Sequence, residues 1–201
     1  MIRIHRLLAV CGALGLAAVA SGCAYTVWVR GVREPGMQLD LEPGLPIAVA
    51  RNPQAAPGAD RGLAAKIERM LDQRGYRVVP ESEAAMVLFF DYEIEDMLAR
   101  KYLMPISGPS GGIRTTLSEG PFNHTLTLSL VDAESYRDET RKTADIPWAG
   151  GAVLNAAPVG TPKIVDLLLV AVFDHFGEDT GTTLKTGMTF NDRRARQLRS
   201  E

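Results

Sequence analysis

Met86-Val87-Leu88-Phe89-Phe90-Asp91-Tyr92-Glu93-Ile94-Glu95 alternates with a period of two. Met86, Leu88, Phe90, Tyr92 and Ile94 fall on one parity. The other starts apolar with Val87 and Phe89, then turns acidic at Asp91, Glu93 and Glu95. Successive strand side chains point to opposite faces, so this is a strand with one face in the core along its whole length. The second face is covered only near the strand's start. Phe122 to Val131 repeats the pattern, with Phe122, Leu126, Leu128 and Leu130 inward and Asn123, Thr125, Thr127 and Ser129 outward. His124 shares the inward parity. Between the two strands, Leu98 to Pro121 has no period and contains the Gly/Pro-rich run Ile106 to Gly112. Loops of that length are usually functional or disordered.

Working outward, Arg141 to Trp148 is expected to pair back antiparallel, with Ala144, Ile146 and Trp148 on one side, after a polar turn over Asp132–Glu139. Gly150 to Gly160 reads as loop. Upstream, Asp60 stands as N-cap to a helix carrying Leu63, Ile67, Met70 and Leu71 on one face, with Gly75 closing it at C′. Tyr76 to Val79 is a short strand. Pro46 to Ala50 is another, and Tyr25 to Val32 alternates as a first strand. Downstream, Thr161-Pro162 opens a helix to Phe176 that is apolar nearly all round, apart from a narrow stripe of Lys163, Asp166 and Asp174. Such a helix is a buried one. Residues 178–190 add a weak edge strand, and residues 191–201, with Arg193, Arg194, Arg196 and Arg199, are expected to be a charged mobile tail. The predicted fold class is α+β, a mainly antiparallel sheet with two helices packed on it.

The amino-terminal segment reads differently. Arg3 and Arg6 precede an uncharged run from Leu7 to Ala20, and small residues follow up to Cys23. A positive start, a short apolar stretch and a small-residue cleavage site make a secretory signal peptide. The run holds fourteen residues, against the roughly 20 that span a bilayer. Val19-Ala20-Ser21-Gly22-Cys23 resembles the lipobox of bacterial lipoproteins. That resemblance implies cleavage after residue 22, a diacylglycerol on the Cys23 sulfur and acylation of its new amino group. With Ala24 rather than aspartate next, it also implies delivery to the outer membrane, the domain facing the periplasm. The domains expected are 1–22 signal peptide, 23–190 a single α+β domain and 191–201 tail.

Composition narrows function by exclusion. The chain of 201 residues carries 22 Lys+Arg against 24 Asp+Glu, a formal charge of −2, and loses two arginines with the signal. A mildly acidic domain has no electrostatic pull toward nucleic acid. Of its two cysteines, Cys11 leaves with the signal and Cys23 is consumed by lipid, so no disulfide is expected in an oxidising compartment. No cofactor, metal or catalytic residue is predicted. His124, His175 and Asp174 lack the helical spacing of paired metal ligands. Glu93, Glu95 and Asp96 read as a solvated face, and Gly108 to Gly112 lacks the Lys-Ser/Thr ending of a phosphate loop. No Gly-x-Ser-x-Gly elbow is present.

A resemblance runs through residues 25–178. It is carried by the helix ending in Gly75-Tyr76, the strand from Ala85 through Tyr92, the strand Leu126 to Asp132, Trp148-Ala149-Gly150, and a last helix closing on Phe173-Asp174-His175-Phe176. That order is similar to a family of bacterial lipoprotein domains of unknown function. The resemblance implies a fold like the amino-terminal domain of the translocation protein TolB and transfers no active site. The function expected is a lipid-anchored, non-catalytic binding or assembly component of the envelope, with an envelope protein as partner. Trp28, Tyr102, Met104 and Ile106 are the candidate contact residues, because aromatic residues and methionine are enriched in interfaces. The alternative is an envelope hydrolase-like enzyme with a site built from loops.

Overall fold

The computed structural model describes residues 24–51, 62–96, 122–138, 140, 144–156 and 161–199. In chain order these form β1 (Tyr25–Arg33), β2 (Pro46–Arg51), α1 (Leu63–Gln73), β3 (Arg77–Val78), a 3-10 turn at Glu81–Glu83, and β4 (Met86–Asp96). Then come β5 (Phe122–Asp132), α2 (Ala133–Arg137), β6 (Trp148–Ala156), α3 (Thr161–Phe173), β7 (Leu184–Met188) and α4 (Arg193–Gln197). The strands make one seven-stranded sheet in the order β3-β2-β4-β5-β6-β1-β7. The class is α+β, with four helices among the described residues.

The two strands legible from alternation form the middle of the sheet, β4 and β5 pairing antiparallel from Met86↔Asp132 to Asp96↔Phe122. The sheet is mixed rather than uniformly antiparallel, since β2 runs parallel to both β3 and β4. The β2–α1–β3 crossover accounts for the first parallel pair, because a helix between adjacent strands returns the chain in the same direction.

α1 has the expected stripe of Leu63, Ile67, Met70 and Leu71, all buried. Gly75 follows at φ +83°, with its N–H on the Asp72 carbonyl at 2.8 Å. Asp60, the expected N-cap, lies outside the described residues. Every residue of α3 from Ile164 to Phe173 is buried. One side meets β1, β5 and β6, while α1 and α4 meet it elsewhere, so an apolar stripe on one side alone would not suffice.

Five expectations change. β6 is Trp148–Ala156, inside the stretch read as loop, whereas residues 144–147 are not strand and Ile146 is 44% exposed. Its register, Leu130↔Trp148 to Phe122↔Ala156, places Ala152 and Leu154 in the core. Gly150 is a packing requirement: a Cβ there would meet the Trp148 ring at 2.4 Å. The polar turn at 132–139 is α2, capped by Asp132 accepting from the Ser135 N–H at 2.7 Å. The tail beyond 190 is not loose over its described part, because α4 buries Ala195 and Leu198 in the core. Finally, the last helix stops at Phe173 and turns through Gly177 at φ +78°. Ile94, expected inward throughout, is 46% exposed, although its row neighbour His124 is fully buried.

Candidate functional site

One acidic side chain lies inside the helix layer. Asp166 is fully buried on α3. Its Oδ1 accepts from the Lys66 Nζ of α1 at 2.5 Å, and the Arg199 Nη1 stands 3.5 Å from its Oδ2. Burial raises the Asp166 pKa, against the pull of Lys66 and Arg199. The arrangement ties α1, α3 and the carboxy-terminal segment together. Asp166 stood in the narrow polar stripe of this helix in the sequence, but nothing there marked its partners. At the other end of α3, Asp174 pairs with Arg194 at 2.5 Å on the surface.

His124 and Tyr92 form a second buried pair, with the Tyr92 hydroxyl 2.7 Å from His124 Nδ1 and the rings stacked. Burial pushes the Tyr92 pKa up to about 12, so its hydroxyl keeps its proton near neutrality, and the His124 tautomer sets which of the two groups donates. Burial also lowers the His124 pKa, and the Ala156 carbonyl offsets part of this. A histidine depressed on folding stabilises the fold above its unfolded pKa of about 6.5, and that stability is lost as pH falls. The midpoint of urea unfolding should therefore drop between neutral pH and pH 5. His124→Gln, which keeps an acceptor for Tyr92, should flatten the drop. Identical pH profiles for the two proteins would show that His124 does not titrate with folding.

These residues do not converge with the other candidates. His124 sits in the row Val27–Leu154–His124–Ile94, at the end of the sheet where β1 begins. His175 lies past the other end of α3, beside Gly31, and its Nδ1 meets Glu178 Oε2 at 3.0 Å on the surface. Glu93 and Glu95 are exposed. Among the described residues no three His, Cys, Asp or Glu side chains stand close enough to share a metal. A polar hollow of about 180 Å³ is lined by Asp132, Glu134, Ser135, Asp138 and Asp145. Several of its groups serve α2 and the following turn, Asp145 N–H donating to Ser135 Oγ and Thr140 N–H to Asp138 Oδ1.

Of the candidate contact residues, Trp28 alone is placed. It is half-buried on the parity opposite Val27 and Val29, hence on the sheet face away from α3. It belongs to the row Lys185–Trp28–Val153–Thr125–Glu93 across β7, β1, β6, β5 and β4. The next row reads Arg30–Gly151–Thr127–Asp91. Among the described residues α2 covers part of the same face near β4, where Tyr136 meets the Phe89 ring edge-on at 5.2 Å. Tyr102, Met104 and Ile106 lie outside the described residues, as does Cys23. The segment that holds the first three is bounded by Asp96 and Phe122, which pair with each other at the end of the sheet where β1 starts.

No protein-family profile and no curated protein matches this chain. Among solved structures it is similar to PelC of Paraburkholderia phytofirmans, seen as a dodecamer in two crystals. The identities are 18% and 15%, covering 73% of this chain in each case and 93% and 94% of PelC, with TM-scores of 0.44 and 0.43. A DUF4136 family protein from Bacteroides thetaiotaomicron is 14% identical over 74% of this chain and 92% of its own, with a TM-score of 0.42.

Proposed function

We propose that this protein is a lipid-anchored, non-catalytic lipoprotein of the bacterial outer membrane, a binding or assembly component whose partner is another envelope protein. The observation that carries the reading is the Val19-Ala20-Ser21-Gly22-Cys23 run set two residues ahead of a strand that belongs to the folded sheet. The TolB-like kinship suggested by the motif order over residues 25–178 belongs to the same proposal. Trp28 supplies the contact, as a large aromatic side chain on a sheet face otherwise edged by Lys185, Arg30, Asp91 and Glu93. Aromatic anchors ringed by polar groups dominate the energetics of interfaces.

The anchor and the contact separate experimentally. Cys23→Ser should leave an unprocessed or soluble precursor, since each buried acyl methylene contributes about 0.8 kcal/mol to membrane attachment. In cells expressing the full chain, crosslinking read by mass spectrometry should lose its main protein partner on Trp28→Ala and keep it on His124→Gln. A Cys23→Ser protein that still fractionates with the outer membrane at processed size overturns the anchor. A partner indifferent to Trp28 but lost with His124 overturns the contact.

A further inference from the structure

We infer that the corner formed by Tyr25, Phe190 and Lys163 is the surface that rests on the lipid headgroups. The inference rests on acylation of Cys23 and adds to it which side of the domain the membrane touches.

A residue spans at most about 3.3–3.6 Å, so Tyr25 lies within about 7 Å of the acylated cysteine. No spacer can be recruited from β1 to lengthen this tether. Tyr25 is already paired with Met188 of β7, and Val27 is held on both sides, by Leu154 of β6 and Thr186 of β7. Releasing β1 would also expose Val27 and Val29, both in the core. The headgroup layer is itself about 5–7 Å deep on each side of the hydrocarbon. The start of β1 therefore stands at the edge of that layer.

The same end of the sheet has two chemically different sides. Around β1, Tyr25 and Phe190 lie with ring centroids 4.5 Å apart, and the exposed Lys163 at the start of α3 holds its ammonium 5.9 Å from the Phe190 ring. Three strands away, by about 14 Å, β4 ends in the exposed Glu93 and Glu95. Aromatic rings with one wet edge and lysine side chains are favoured at the membrane–water boundary, and anionic headgroups attract lysine and repel carboxylates. The domain consequently leans on its β1–β7–α3 corner with the acidic end of β4 turned away. The opposite end of β1, at Glu34, points into the aqueous space.

Spin labels on single introduced cysteines test this in the acylated full-length protein. Labelling is specific because Cys11 leaves with the signal and Cys23 is blocked by lipid. The label goes to Pro162→Cys, exposed next to Lys163 at the start of α3, to Thr26→Cys or to Glu34→Cys just past the end of β1, the last two about 26 Å apart. Each protein is reconstituted in phosphatidylethanolamine–phosphatidylglycerol vesicles. Labels at 162 and 26 should collide several-fold less often with a water-soluble nickel chelate than the label at 34. The mass of the amino-terminal peptide reports the acyl chains in the same samples. Acylated protein with equal collision rates at all three positions overturns the orientation and leaves the anchor standing. Absence of acyl chains overturns both.

Discussion

Leu168→Ala lowers the free energy of unfolding by about 2–5 kcal/mol, the usual cost of truncating a buried leucine. Leu168 is fully buried. It lies one turn before Val172, and helix positions four apart share a face. Val172 faces β6 at Gly150, where its Cγ2 would stand 3.3 Å from an added Cβ. The truncation thus opens a cavity between α3 and the middle of the sheet. With about 5–15 kcal/mol available to a domain in total, this is a large share. A urea titration followed by the fluorescence of the buried Trp148 measures it. A loss below about 0.5 kcal/mol, the range of surface substitutions, would place that face of α3 in solvent.

Lys66→Met costs about 3 kcal/mol at neutral pH, because removing one partner leaves a buried charge without its main compensation. The side chain that suffers is Asp166, fully buried, with Arg199 at 3.5 Å as its remaining cation. The sign of the pH dependence follows. Burial already raises Asp166 above its ordinary pKa, and loss of the lysine raises it further. A carboxyl raised on folding favours the fold below its unfolded pKa, and that advantage is lost as pH rises through the folded one. The gap between wild type and Lys66→Met therefore narrows as pH is lowered from neutrality toward 4. Lys66→Met with Asp166→Leu should recover most of the loss, since well-packed apolar groups replace buried ion pairs at little cost. A gap that does not change with pH would show that Asp166 is not the group responsible.

Membrane attachment and partner binding test different residues from these two. Leu168 and Lys66 hold the helix layer to the sheet and to itself, whereas Trp28 stands on the sheet face that α3 leaves open. Loss of the crosslinked partner with unchanged unfolding marks Trp28 as a contact residue. Loss of both marks it as part of the folded framework.

Alternation along Met86–Glu95 and Phe122–Val131 was enough to mark two strands, while their pairing in the middle of the sheet came from the tertiary structure. The stripe of Leu63, Ile67, Met70 and Leu71 with Gly75 beyond it was enough for α1, and the all-round apolar run after Pro162 was enough to bury α3. Each rests on a period repeated within one segment, and neighbouring residues impose such a period whatever packs against it. β6 shows the limit. Gly150 looks like a turn residue until the Trp148 ring is seen to lie where its side chain would go. α2 and α4 have only five residues each, too few for a helical period to declare itself. In α4 the apolar signal is reduced to Ala195 and, just beyond it, Leu198, among arginines. Only the tertiary structure decided that β2 lies parallel between β3 and β4, that Lys66 and Arg199 meet Asp166, and that His124 and His175 face opposite ends of the core. These contacts join residues up to about a hundred positions apart, as Lys66 and Asp166 are. Their closure depends on how whole layers stack, which no local pattern records.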